Sequence, residues 1–276
     1  MKLILCLLAV VLFCTGCSVL KESPDSDSGN KSTADTLDGS SISADSKDST
    51  DKEIILNSIV ISKDDTGLMV AAYDKNNSFR QFDPVAVHYT DTSSLEVTMG
   101  AIIKISFDGR IAESYPSQIW ADKIEVVETV QDNWPATKLI PEDYSSEEAV
   151  KDNCYVITND KIESEDLMDS FMENTKNGMA GYLRRVIYTI EGDPIINDII
   201  YNGNKYFVFE DMTRDAFAGN GEKLYKKEYS YINTFEKNNA KLIYLADRND
   251  ITSEEYEKSM TSGNSDDLLD IYPVSY

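Results

Sequence analysis

From Glu53 to Val130 the chain is a succession of short β-branched and aromatic runs separated by turn residues, a pattern that commits this region to a small β structure. Ile54 to Ile61 is such a run, Lys63-Asp64-Asp65-Thr66-Gly67 is a turn, and Leu68 to Tyr73 is a second run, so a hairpin is predicted. Pro84 opens Val85 to Tyr89, Ala101 to Phe107 leads through Asp108-Gly109 into Ile111, and Trp120 to Val130 supplies a last long strand. Five or six strands in about 80 residues predict a small barrel over 52–130. The segment Leu95 to Ile105, where a short turn ending at Gly100 feeds a strand, is the kind of connection an oligonucleotide/oligosaccharide-type (OB-like) barrel uses.

Residues 131–141, with Trp134-Pro135 and Ile140-Pro141, read as a stiffened linker. A second unit over 142–260 mixes both periodicities. Ser145-Ser146-Glu147-Glu148 and Thr252-Ser253-Glu254-Glu255 are capping-box patterns, and Leu167, Met168, Phe171 and Met172 recur at helical spacing. Tyr182 to Ile190, Ile195 to Tyr201 and Lys205 to Asp211 are expected strands, the last two joined by the hairpin dipeptide Asn202-Gly203. Tyr225 to Phe235 and Ala240 to Ala246 read as a further antiparallel pair, and 261–276 as a C-terminal tail. The expected fold class is therefore mainly β plus α+β: an OB-like barrel followed by an α+β domain with an antiparallel sheet.

Ahead of the barrel, Leu3 to Phe13 is an apolar run with Lys2 in front of it, the length of a secretory signal and too short to span a bilayer. It ends in Phe13-Cys14-Thr15-Gly16-Cys17, which resembles the lipobox of bacterial lipoproteins in its small Thr15, Gly16 and Cys17 and departs from it in carrying Cys14 where Leu is usual. That resemblance implies removal of a signal peptide over 1–16 and attachment of diacylglycerol to Cys17, with cleavage to a freely secreted form as the alternative. Residues 17–51 are built from Ser, Asp, Thr, Lys and Gly with few large apolar side chains, too few to bury, and are expected to form a disordered tether.

Loss of 1–16 would leave 25 basic against 49 acidic groups, a net charge of −24. Such a surface repels polyanions, so nucleic-acid binding is disfavoured, as is electrostatic attachment to anionic lipid. Of the four cysteines only Cys154 would remain free, flanked by Tyr155, Val156 and Ile157 as a small hydrophobe within a strand.

Two further resemblances bear on architecture. Gly109-Arg110-Ile111-Ala112-Glu113-Ser114-Tyr115-Pro116-Ser117-Gln118, after the strand Gly100 to Ile105, resembles an uncharacterised family of OB-like domains in Gram-positive secreted proteins and lipoproteins, over Lys52 to Val130. Tyr188-Thr189-Ile190-Glu191-Gly192-Asp193-Pro194-Ile195, Tyr201-Asn202-Gly203 and Asp211-Met212-Thr213-Arg214-Asp215 resemble a second uncharacterised lipoprotein domain family, over Glu142 to Arg248. That second resemblance implies a cysteine pair in the last two strands. Tyr225 to Arg248 contain none.

Catalytic patterns are sparse. His88 is the only histidine, on a strand where Val85, Val87 and Tyr89 take the buried face, and no Gly-x-Ser-x-Gly elbow or phosphate-cradling glycine motif occurs. The best polar cluster is Glu191, Asp193, Arg214 and Asp215, each at the end of an expected strand, a candidate ligand-binding set. Tyr225, Tyr229 and Tyr231 share one strand parity and either stack on sugar rings or line a half-buried sheet. The expected function is a membrane-anchored extracytoplasmic lipoprotein at the outer face of the cell membrane, acting as a binding or accessory module. It would be held in the bilayer by acylated Cys17 and meet an envelope protein or wall glycan, with no cofactor or metal. The alternatives are a metal- or carboxylate-dependent hydrolase of envelope material using Glu191, Asp193 and Asp215, or a regulator of an envelope protein.

Overall fold

Alternation of apolar and polar residues builds the barrel. In the computed structural model, which describes residues 53–73, 75, 78–131, 134–237 and 240–275, β1 (Ile54–Lys63), β2 (Gly67–Ala72), β3 (Pro84–His88), β4 (Ile102–Ala112) and β5 (Ser117–Glu128) close in the order β1-β2-β3-β5-β4. The expected signal peptide over 1–16, Cys17 and the expected tether over 17–51 lie outside the described residues. Neighbouring strands are antiparallel except β3 and β5, which run parallel. Leu56, Val60, Val70, Val87, Ile105 and Ile119 fill the interior. Asp108-Gly109 does not turn the chain, as the sequence suggests. β4 runs through it with a register shift between Phe107 and Ile111, and Gly109 supplies the positive φ (89°) that such a bulge uses.

The outer face of β1 and β2 is also apolar. Ile59, Ile61 and Ala71 pack against Trp134 and Ala136 and, beyond them, Tyr182, Val186 and Ile200 of the second lobe. Within the expected linker over 131–141, Trp134 to Thr137 thus belong to a core shared by both lobes: Pro135–Thr137 forms a 3-10 turn whose three residues are buried. Trp134 stacks on Phe209 with ring centroids 3.4 Å apart, and a Cβ at Gly100 would lie 2.0 Å from the indole, so the barrel needs glycine there.

The second lobe contains α1 (Ser146–Lys151), β6 (Tyr155–Ile157), β7 (Ile162–Glu163), α2 (Glu165–Lys176), β8 (Gly181–Tyr188), β9 (Pro194–Tyr201), β10 (Tyr206–Asp211) and β11 (Leu224–Tyr229). Its six-stranded sheet has the order β11-β10-β9-β8-β6-β7, antiparallel apart from the β6–β8 pair. A three-stranded sheet follows from β12 (Tyr231–Lys237), β13 (Ala240–Ala246) and β14 (Ile271–Ser275), with α3 (Ser253–Thr261) between the last two. Both capping boxes form as expected, at Ser145 with Glu148 and at Thr252 with Glu255.

Two expectations change here. Tyr225 to Phe235 is not one strand: it breaks at Ser230, after which β11 pairs with β10 and β12 with β13. The expected tail over 261–276 ends instead in β14, with Val274 fully buried. Adjacent arginines on opposite faces of β8 explain both this closure and that of the lobes. Arg184 pairs with Asp198 (2.7 Å) and donates to the Ala136 carbonyl at 3.1 Å, while Trp134 Nε1 donates to the same Asp198 carboxylate at 2.5 Å. Arg185 donates to the Pro273 and Val274 carbonyls, to Asn197 Oδ1 and to the Tyr272 hydroxyl.

Candidate functional site

The loops after β8 and β10 meet, as the sequence cluster requires. Asp193 Oδ2 accepts from the Ala216 amide at 3.0 Å, and Asp215 Oδ1 accepts from the Phe217 amide at 2.7 Å. Arg214 turns away from any opening. Its guanidinium is almost wholly buried, pairs with Asp211 (3.1 Å), and donates to the carbonyls of Thr137, Ile140 and Pro141. Asp211 also accepts from Thr137 Oγ1 and from the amide and hydroxyl of Thr213. Burial works against its charge, but these hydrogen bonds and the nearby Arg214 outweigh it and hold the carboxyl below the usual aspartate range. Glu191 is exposed, and no group of three or more His, Cys, Asp or Glu positioned for a metal ion occurs among the described residues. The geometry makes Arg214 a clamp on residues 137–141. The tyrosine stripe also divides: Tyr229 is buried with its hydroxyl 3.2 Å from that of Tyr225, and Tyr231 lies on the next strand.

A different region combines backbone strain, an accessible cleft and exposed aromatic groups. Between the barrel and α2 lies a cleft of 160 Å³ lined by Arg80, Phe82, Asp83, Tyr115, Asn153 and Asn174 among others. The non-glycine residues with positive φ among those described are Phe82 (68°), Asn153 (60°) and Ser164 (60°). The first two line the cleft, and Ser164 precedes α2, which forms its wall. A bulky side chain in the left-handed region costs on the order of 1–3 kcal/mol and is kept only where surrounding contacts fix it. Phe82 meets that condition: its ring stacks on Tyr182 at 5.1 Å and lies 4.7 Å from the Arg184 guanidinium carbon. Burial pushes the Asp83 carboxyl up, against the pull of Arg80. Arg80 itself donates to Asn153 Oδ1 at 2.5 Å.

Tyr115 stands at this cleft, in the loop between β4 and β5. From the sequence, the Glu-Ser-Tyr-Pro stretch reads either as a binding loop or as a strand-breaking turn held by Pro116 with Tyr115 packed. The structure leaves Tyr115 57% exposed, its hydroxyl accepting from Asn174 Nδ2 at 2.7 Å. From there the outer surface of β3 and β5 carries His88, Gln118 and Trp120. His88 and Trp120 are paired across the two strands and stack with centroids 5.1 Å apart. Gln118 bridges His88 Nε2 (2.9 Å) and Ser114 Oγ (3.0 Å), and Ser114 donates to the Pro116 carbonyl at 2.7 Å. Strand parity correctly turns His88 outward, but nothing in the sequence singles out Trp120, because its stacking partner is brought in by a parallel pairing between distant strands.

Cys154 is fully buried and its thiol is pushed up to about 12, mainly by burial, which makes it an inert packing group. No described helix is long and apolar enough to cross a membrane.

Comparison with known families places residues 151–245 in register with a family described as a domain of unknown function (DUF4362). The match takes in the six-stranded sheet, α2 and β12, and ends within β13. No curated protein and no solved structure matches the chain.

Proposed function

We infer that the chain is a membrane-anchored extracytoplasmic lipoprotein whose folded part is a binding module without catalytic chemistry of its own. The observation that carries the binding reading is the cleft at the barrel edge. Strained Phe82, a carboxyl shifted upward by burial and the exposed ring of Tyr115 meet there, while the better-charged cluster around Arg214 is engaged in holding the chain together. A left-handed bulky residue held in place beside an accessible cleft is a mark of ligand-binding sites. Lipidation at Cys17 supplies the address. The acidic composition leaves the acyl chains, rather than surface charge, as the means of attachment.

Two measurements test this reading. Metabolic labelling with a fatty-acid probe marks the wild type and not Cys17→Ala; an unlabelled wild type ends the lipoprotein assignment. For the binding reading, a photo-crosslinking residue at position 115 captures material on intact cells that the same residue at position 231, on an exposed tyrosine elsewhere, does not. Equal capture from both positions, or none from 115, removes the cleft as the site.

A further inference from the structure

The face of a five-stranded barrel of this type that commonly receives a ligand lies over its second and third strands. Here the outer surface of β1 and β2 is covered by the molecule's own second lobe, through Ile59, Ile61 and Ala71. The surface of β3 and β5 farther round the barrel stays open and has an unusual composition. Neither Pro84–His88 nor residues 114–120 contain a single Lys, Arg, Asp or Glu, in a chain that carries 49 acidic and 26 basic groups.

Within this neutral strip two aromatic side chains are left exposed, Tyr115 at 57% and Trp120 at 46%. They lie five positions apart, at most about 16 Å at roughly 3.3 Å per residue. Between the two rings lie an amide and an imidazole already held in place. Gln118 is fixed between His88 and Ser114, and His88 is also fixed by stacking on Trp120. An amide can still donate its second hydrogen and accept at its second lone pair, so groups that both donate and accept, as hydroxyls do, are matched. Aromatic faces at either end and uncharged polar groups between them, on two segments that carry no charged side chain of their own, describe the recognition of a neutral sugar chain. Pyranose rings offer an apolar face to stack and hydroxyls at the edge.

We propose that the β3/β5 strip from Tyr115 to Trp120 is an extended site for a neutral oligosaccharide, with Tyr115 and Trp120 as stacking platforms at its two ends and Gln118 and His88 as the hydrogen-bonding groups between. This rests on the binding-module reading and names the ligand class for the surface that continues from the cleft.

The protein carries its own reporter, because its two tryptophans differ sharply: Trp134 is 4% exposed and Trp120 is 46% exposed. A soluble β-1,4-linked tetramer of N-acetylglucosamine and a neutral β-glucan tetramer serve as probes. Titration of the wild-type folded protein with at least one of them protects Trp120 from acrylamide quenching, and Trp120→Ala and Tyr115→Ala each weaken binding by about tenfold, the order expected from one aromatic contact. Tyr231→Ala leaves it unchanged. The quenching measurement on wild type needs no variant to fold. Absence of binding to both probes at millimolar concentration overturns the proposal, as does binding that leaves Trp120 quenchable or is indifferent to both aromatic substitutions. If the tetramers fail while the crosslinker at position 115 still captures a protein, the ligand class falls and the binding module stands.

Discussion

The Arg214 loops and the barrel cleft contain the same kinds of group, an arginine and an aspartate beside a strand end, yet their electrostatics run in opposite directions. At Asp211 hydrogen bonds from Thr137 and Thr213 and the charge of Arg214 overcome burial, and the carboxyl is held low. At Asp83 burial dominates the attraction of Arg80, which is itself donated to Asn153, and the carboxyl is pushed up. The first carboxyl is held charged by its partners, whereas burial disfavours the charge of the second. The difference assigns the first region to holding residues 137–141 against β10, and it is in keeping with the ligand contact proposed at the second.

Removing the two carboxyls separates these roles most strongly. Asp211→Ala leaves the buried Arg214 guanidinium without its countercharge and deprives Thr137 and Thr213 of an acceptor, so it lowers unfolding stability by about 3–5 kcal/mol. Asp83→Asn raises stability slightly at neutral pH, because it removes a charge that the folded state disfavours. Denaturant titrations of both variants check this, and a comparable loss in the two would erase the distinction.

The pH dependence sharpens the same contrast by a smaller margin. Asp211 has a folded pKa below its ordinary value near 3.8, so its contribution is fully present above that value and is lost as pH falls through the folded pKa. Asp211→Asn and wild type therefore differ most at neutral pH and converge below 3.8. Asp83 is raised above the same ordinary value, so its charged form costs stability above its folded pKa and costs nothing once pH drops below 3.8. The small advantage of Asp83→Asn accordingly disappears on acidification. Stability measured across this range by urea unfolding gives the two signs directly; parallel profiles would contradict them.

What the sequence made legible was local. Both capping boxes, the Asn202-Gly203 hairpin and the alternation that turns His88 outward depend on residues a few positions apart, and each appears in the structure where expected. The misread features depend on distant partners. Ile271–Ser275 contains a proline and follows a polar stretch, so it reads as a tail until β13 pairs with it and Arg185, on β8, takes the carbonyls of Pro273 and Val274. Arg184 and Arg185 are charged residues in a strand pattern, and only Asp198 and the chain's last strand reveal that both are interior. Trp134-Pro135 punctuates the sequence like a linker, but the indole's stack on Phe209 and its bond to Asp198 place it in the core. For the candidate site, the carboxylate cluster was visible as a run of charges, whereas the neutral strip has no such signature because its members come from two strands and a loop.

The smallest expected effect makes the last separation, between a contact that holds the fold and one that waits for a ligand. Asn174 Nδ2 donates to the Tyr115 hydroxyl and is the bond that joins α2 to the tip of the β4–β5 loop. Both groups are solvent-accessible, and a hydrogen bond exchanged for water contributes little. Tyr115→Phe should therefore change unfolding stability by less than about 0.5 kcal/mol, within the range of ordinary surface substitutions. Its ring remains, so the proposed stacking on a sugar survives, while the hydrogen bond between loop and helix is lost. A Tyr115→Phe variant that keeps wild-type stability and most of its oligosaccharide affinity, beside a Tyr115→Ala variant that keeps stability and loses affinity, assigns the ring to recognition. A large stability loss in Tyr115→Phe would instead make Tyr115 a structural tie of the same kind as Arg214, and the contrast between the two regions would no longer hold.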